Sequence, residues 1–87
     1  MAATKEKIKE VIHQYGKKTN DTGSPAVQIA MLTEEILGLT KHLHKNPHDF
    51  SSKGGLILKV ARRRKLLKYL ERKSVRTYKT VVEKLKL

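Results

Sequence analysis

With 87 residues the chain has room for one small domain, and with 38% hydrophobic residues, no Trp and one Phe it can bury a thin aliphatic seam but no deep catalytic cavity. Twenty Lys and Arg against eight Asp and Glu leave a formal charge of +12, which calls for an acidic partner: nucleic acid first, anionic membrane as the alternative on charge alone. Cysteine is absent, which excludes disulfide and thiolate-metal scaffolds, and no apolar run suits a signal core or a membrane span, so the expectation is a cytoplasmic protein.

Thr4 can cap a first helix in which Ile8, Val11, Ile12 and Tyr15 recur at i, i+3, i+4 and i+7, and Gly16 ends it. The polar run from Lys17 to Gly23 reads as a loop. Ser24 before Pro25 starts a longer second helix, because proline fits the first helical position; its stripe is Ile29, Leu32, Ile36, Leu39 and Leu43, and it runs to about Lys45. Asn46 and Pro47 stop it, and residues 46–51 make a turn. Ser51 or Ser52 is expected to cap a third helix that reaches about Lys73 and turns Leu56, Val60, Leu67 and Leu70 to the core. Gly54 and Gly55 in its first turns each cost about 1 kcal/mol relative to Ala, so they ask for a reason other than helix formation. Ser74 caps a short fourth helix with the stripe Val75, Tyr78, Val81, Val82 and Leu85. No strand pattern, repeat or linker competes. The expected fold is all-α, a single domain over residues 1–87 with two long antiparallel helices and two short helices packed against them.

Residues 53–73 hold nine basic residues and one acid, eight of the twelve net charges. On a helical wheel Arg62, Lys65, Tyr69 and Arg72 fall within roughly 80° of one another and nearly opposite the apolar stripe. An aromatic ring among cations can stack on an unpaired base while its neighbours meet phosphates; the plainer alternative is an exposed tyrosine lying on aliphatic stems. Arg63 falls on the core side instead, where it is expected to snorkel or to meet an acid such as Glu34. On the second helix Gln28, Glu35 and His42 make a file at seven-residue spacing. Gln and His suit 2′-hydroxyls and base edges, whereas Glu repels phosphate and must point aside or find a donor. Asp21, Thr22 and Gly23 form a small turn before one helix N-terminus, and His48, Asp49 and Ser52 another, both suited to phosphate; the paired glycines would let a sugar-phosphate strand approach the backbone.

The order DTGSPAVQIAMLTEEI, then HL, then HDFSSKGGL, then VARRRKLLKYL resembles the bacterial small-subunit ribosomal protein fifteen family over nearly the whole chain, without gaps. The resemblance implies a four-helix, non-enzymatic constituent of the small ribosomal subunit that binds the central domain of its RNA. It implies two contact regions: a three-way junction met by Thr22, Gly23, Gln28, Lys65 and Tyr69, and an adjoining G·U-containing minor groove read by His42, Asp49 and Ser52. Arg62, Arg64 and Arg72 of the basic stretch complete the expected site. The partners implied are neighbouring small-subunit proteins and large-subunit RNA at an intersubunit bridge; the free protein is expected to be a monomer without metal or cofactor. The chain departs from the family where Glu35 replaces an Arg, Lys65 an Arg, and Asn46, Phe50 and Gly54 the usual His, His or Tyr, and Arg. Lys keeps the charge but not planar bidentate geometry.

Three other readings are weaker. His44, His48 and Asp49 could hold a metal, but Pro47 breaks the helix between the histidines and no second cluster completes a shell. A membrane-surface helix would need the apolar stripe that the other helices must bury. Duplex DNA reading lacks a helix presenting a compact reading head.

Overall fold

The computed structural model describes residues 5–16 and 24–87. Four helices follow one another: α1 (Lys5–Tyr15), α2 (Pro25–Lys45), α3 (Phe50–Lys73) and α4 (Val75–Leu85). Thr4 and the run 17–23, with the expected cap and loop, lie outside the described residues.

The helix ends follow local chemistry. Pro25 occupies the first turn of α2 behind an extended Ser24, whose carbonyl accepts from the Gln28 N–H while its hydroxyl makes no capping bond. Asn46 closes α2 twice, its backbone N–H and its side-chain amide both donating to the His42 carbonyl at 2.8 and 3.0 Å. Ser74 does two jobs in one residue: its N–H closes α3 on the Leu70 carbonyl, and its hydroxyl accepts from the Thr77 N–H to start α4. Gly16 ends α1 for a reason other than left-handed geometry, since its φ is not positive. A Cβ there would stand 2.7 Å from the Ile12 carbonyl oxygen and 3.2 Å from Val27, so glycine is needed chiefly because the chain folds close against the last turn of α1, with the Val27 side chain of α2 next to it.

α2 and α3 pack side by side through the short turn at 46–49. Thr33 meets Arg63 and Glu35 meets Lys59, so the partner moves back along α3 as α2 advances, and the pair is antiparallel. The core sits at one end of that pair. Ile8 and Val11 of α1, Ala26, Ile29 and Ala30 of α2, Leu70 of α3, and Val81 and Leu85 of α4 form one buried cluster, bordered by Ile12, Tyr15, Leu37, Leu66, Leu67 and Tyr78. Beyond it α2 and α3 continue as a two-helix arm, where Leu39, Leu43, Leu56 and Val60 have the expected phase but are only half-buried, because each faces one helix rather than three.

Three expectations change. The N-cap of α3 is Asp49 rather than Ser51 or Ser52, so the helix begins at Phe50. Val75 is 53% exposed, because it stands at the first position of α4 and at the margin of a stripe centred on Val81 and Leu85. Arg63 meets no acid among the described residues: its guanidinium donates to the hydroxyl of buried Thr33 at 3.3 Å, and that hydroxyl donates in turn to the Ile29 carbonyl. Burial pushes the Arg63 guanidinium below its ordinary range, yet the group stays protonated at any biological pH.

Candidate nucleic-acid interface

At the tip of the arm two side chains and one backbone N–H converge on one carboxylate. Asp49 Oδ1 accepts from the Ser52 N–H at 3.1 Å, and Oδ2 accepts from the Ser52 hydroxyl at 2.7 Å and lies 2.6 Å from His42 Nε2. The hydrogen bond from His42 and then those from Ser52 hold the Asp49 carboxyl at about 2, below its usual 3.8, against a small opposing effect of desolvation. This cap is what the sequence reading misplaced, and the error has a single cause. Asp49, Ser51 and Ser52 can all cap a helix, and only the turn at Asn46 and Pro47 decides which oxygen faces the free N–H groups. His42, Asp49 and Ser52, expected together, are together.

The second cluster lies on the last three turns of α3, over the buried core. Tyr69 is 41% exposed, and it shares an open cleft with Lys65, Lys68, Glu71 and Arg72. Lys73 Nζ stands 5.8 Å from its ring centroid, a contact the i, i+4 spacing foretells but the sequence reading did not include. Leu70, the next residue, is buried, so the ring is turned outward by the same helical phase that locks its neighbour inward. Arg62, Lys65, Lys68 and Arg72 take part in no ion pair among the described residues. Their charge is therefore directed at solvent or at a ligand.

Gln28 and Arg62 line one cleft between α2 and α3 with Met31, Leu32 and Glu35. Arg64, expected with this group, stands apart: two residues past Arg62, about 200° around the helix, it is exposed on the far side of α3. Thr22 and Gly23 lie outside the described residues. Glu35 has found its donor in Lys59 of α3, a pairing that sequence spacing alone does not reveal because it depends on the register between two helices.

Toward the tip, the outward face of α3 changes character. Phe50, Ile57 and Leu58 are exposed there, with Lys53 over the Phe50 ring at 5.4 Å and His48 edge-on to it at 6.2 Å. Among the described residues no group of His, Cys, Asp or Glu could hold a metal ion, and no helix is long and apolar enough to cross a membrane.

From Ser52 to Tyr69 along α3 is about 25 Å at ~1.5 Å per residue, so one rigid helix carries two polar surfaces of different kinds. The tip has few charges and fixed hydrogen bonds; the other end has many cations and an exposed ring.

Comparison with known proteins assigns this arrangement to a family. Residues 7–87 match the model of the family described as ribosomal protein S15. The chain is 48% identical to the small ribosomal subunit protein uS15 of Mycolicibacterium vanbaalenii, 47% to that of Rhodococcus jostii and 49% to that of Rhodococcus erythropolis, in each case over all of this chain and 98% of the relative. The expected resemblance and the all-α fold class both hold, and the chain belongs to the ribosomal protein S15 family, whose members are structural rather than catalytic.

Proposed function

We propose that the protein is a structural constituent of the small ribosomal subunit that binds the central domain of its RNA directly, clamping a three-way junction with one end of the α2–α3 pair and reading an adjacent minor groove with the other. The relatives named as small ribosomal subunit proteins place the likeness in that particle, and so in the cytoplasm. One observation carries the two-ended reading: a hydrogen-bonded Asp49 tip and a cationic cluster around Tyr69, without ion pairs among the described residues, stand about 25 Å apart on the same helix.

The ends divide the work of recognition. Around Tyr69 the cations Arg62, Lys65 and Arg72 meet phosphates and the ring stacks on an unpaired base, which supplies affinity and position; Arg64 serves a phosphate from the far side of the helix, and Thr22, Gly23 and Gln28 complete the junction contact. At the tip the Asp49 carboxylate keeps acceptor capacity beyond its bonds to Ser52 and His42, and it takes a base amino group in a shallow minor groove. His42 and Ser52 meet the neighbouring base edge and 2′-hydroxyl. Gly54 and Gly55 support the approach of a strand here, because a Cβ at either would meet nothing in the protein. Binding lowers the free energy of one junction arrangement by its differential affinity for the protein, and so prepares a surface for later small-subunit proteins. The single domain over residues 1–87 acts as a monomer when free, and the outer end of the pair meets large-subunit RNA at an intersubunit bridge.

Chemical footprinting of small-subunit RNA with and without the purified protein tests this reading. Two protected patches are expected, at a three-way junction and in an adjoining helix. Protection scattered over many helices, or at one patch only, refutes a two-ended clamp.

A further inference from the structure

The α2 flank carries Gln28, Glu35 and His42 at equal intervals, and the two outer residues belong to the two proposed contact regions. Glu35 lies midway, about 10 Å along the helix from each. It does not stand alone, because Lys59 reaches across from α3 and its ammonium is hydrogen-bonded to Glu35 Oε2. Both side chains remain at the surface, Lys59 35% and Glu35 45% exposed. The clefts on either side of the pair share Leu32 and Arg62, and Met31 and Leu58 are exposed beside them.

The electrostatic profile along the groove follows from these contacts. At the Tyr69 end the cations have no acid partner among the described residues, and each is able to neutralise a phosphate. In the middle the Lys59 ammonium is cancelled at contact distance by the Glu35 carboxylate, and the other cation bordering both clefts, Arg62, has no acid partner among the described residues and serves the junction contact proposed above. A phosphate brought to this point gains little from Lys59 and is repelled by Glu35. A ribose edge meets the opposite situation: its 2′-hydroxyl donates to the carboxylate and accepts from the ammonium, and its apolar carbon edge lies against Leu58 and Met31.

We infer that the Glu35–Lys59 pair is a specificity-determining element of the interface: mutually neutralised, it holds Lys59 away from the RNA backbone and admits a ribose edge, not a phosphate, at its own position between the two contact regions. The inference rests on the two-ended reading and adds to it a residue that restricts binding. Glu35 selects by withholding a phosphate contact, which keeps the RNA from settling in registers that the two ends do not favour.

Filter binding of the full chain to a junction RNA over a salt series tests it, with wild type, Glu35→Gln, Lys59→Met and the double variant, and helical circular dichroism as the check on folding. Releasing Lys59 by Glu35→Gln should tighten binding at low salt and steepen the log–log salt slope by about 0.7 to 0.9, the contribution of one added phosphate contact. Lys59→Met should weaken binding through the uncompensated carboxylate with the slope unchanged, and the double variant should return to the wild-type slope. A shallower slope for Lys59→Met, or none of the steepening in Glu35→Gln, shows that Lys59 already serves a phosphate and overturns the inference. Failure of the wild type to prefer the junction RNA over duplex DNA of equal length would instead refute the two-ended reading, so the two failures are separable.

Discussion

The two ends of the α2–α3 pair solve the same problem by different means. Around Tyr69 the scaffold is a four-helix core, with Leu70 buried beside the ring and Val81 and Leu85 of α4 in the same cluster. Packing fixes the backbone there, so the cations can remain exposed and, among the described residues, without an acid partner. At the tip only two helices remain, and the apolar side chains between them, such as Leu43 and Leu56, are half-buried while Phe50, Ile57 and Leu58 are exposed. Packing alone does not hold that turn, and hydrogen bonds do: Asn46 to His42, Ser52 to Asp49, His42 to Asp49. An interface that needs adaptable charge can sit over a core, whereas one that needs fixed donors and acceptors beyond the core must build its own rigidity.

The contrast is broken most severely at the core end. Leu70→Ala should destabilise the protein by about 2 to 5 kcal/mol, the usual cost of truncating a buried leucine, read as a shift of the urea midpoint. Tyr69→Ala, one residue away, should leave that midpoint nearly in place and weaken junction-RNA binding by about 1 to 3 kcal/mol. If Tyr69→Ala were as destabilising as Leu70→Ala, the ring would be a packing residue and the division between surface and core would fail. At the tip, Gly54→Ala should raise the stability of the free protein by up to about 1 kcal/mol, since the backbone is helical and the added methyl meets nothing. The same variant should lose affinity for the minor-groove RNA. Higher stability with unchanged affinity would remove the strand from that stretch of backbone.

The four-helix end was legible in the sequence because its signals are local and agree. Pro25 after Ser24, Ser74 before an apolar repeat, and the i, i+3, i+4, i+7 pattern of Ile8 to Tyr15 each point to one element, and each element is there. Helical phase also separates Tyr69 from Leu70, so the outward ring needs no structure to be found. The arm was less legible because its decisive contacts cross between helices or across a turn. Asp49, Ser51 and Ser52 compete as caps on equal terms until the turn orients one of them. Lys59 is one more cation in a basic run until the register of α2 against α3 sets it beside Glu35. Arg63 faces inward as its phase demands, but Thr33 rather than Glu34 receives it, because a buried hydroxyl already bonded to its own helix still has an acceptor lone pair.

The finest test of the comparison lies in the proton affinity of the tip. Held by His42 and then by Ser52, the Asp49 carboxyl titrates at about 2 in place of 3.8. Its folded pKa is depressed, so the hydrogen bonds stabilise the folded tip fully above pH 3.8, and that contribution fades as the pH falls through about 2. Carbon chemical shifts of the Asp49 side chain in the free protein measure the midpoint directly. In Ser52→Ala, which removes the hydroxyl donor but keeps the backbone N–H, the midpoint should move part of the way back up. A wild-type midpoint near 4 would mean that the tip is no better organised in the absence of RNA than the loose cations at the other end, and the contrast between a fixed reader and an adaptable clamp would disappear.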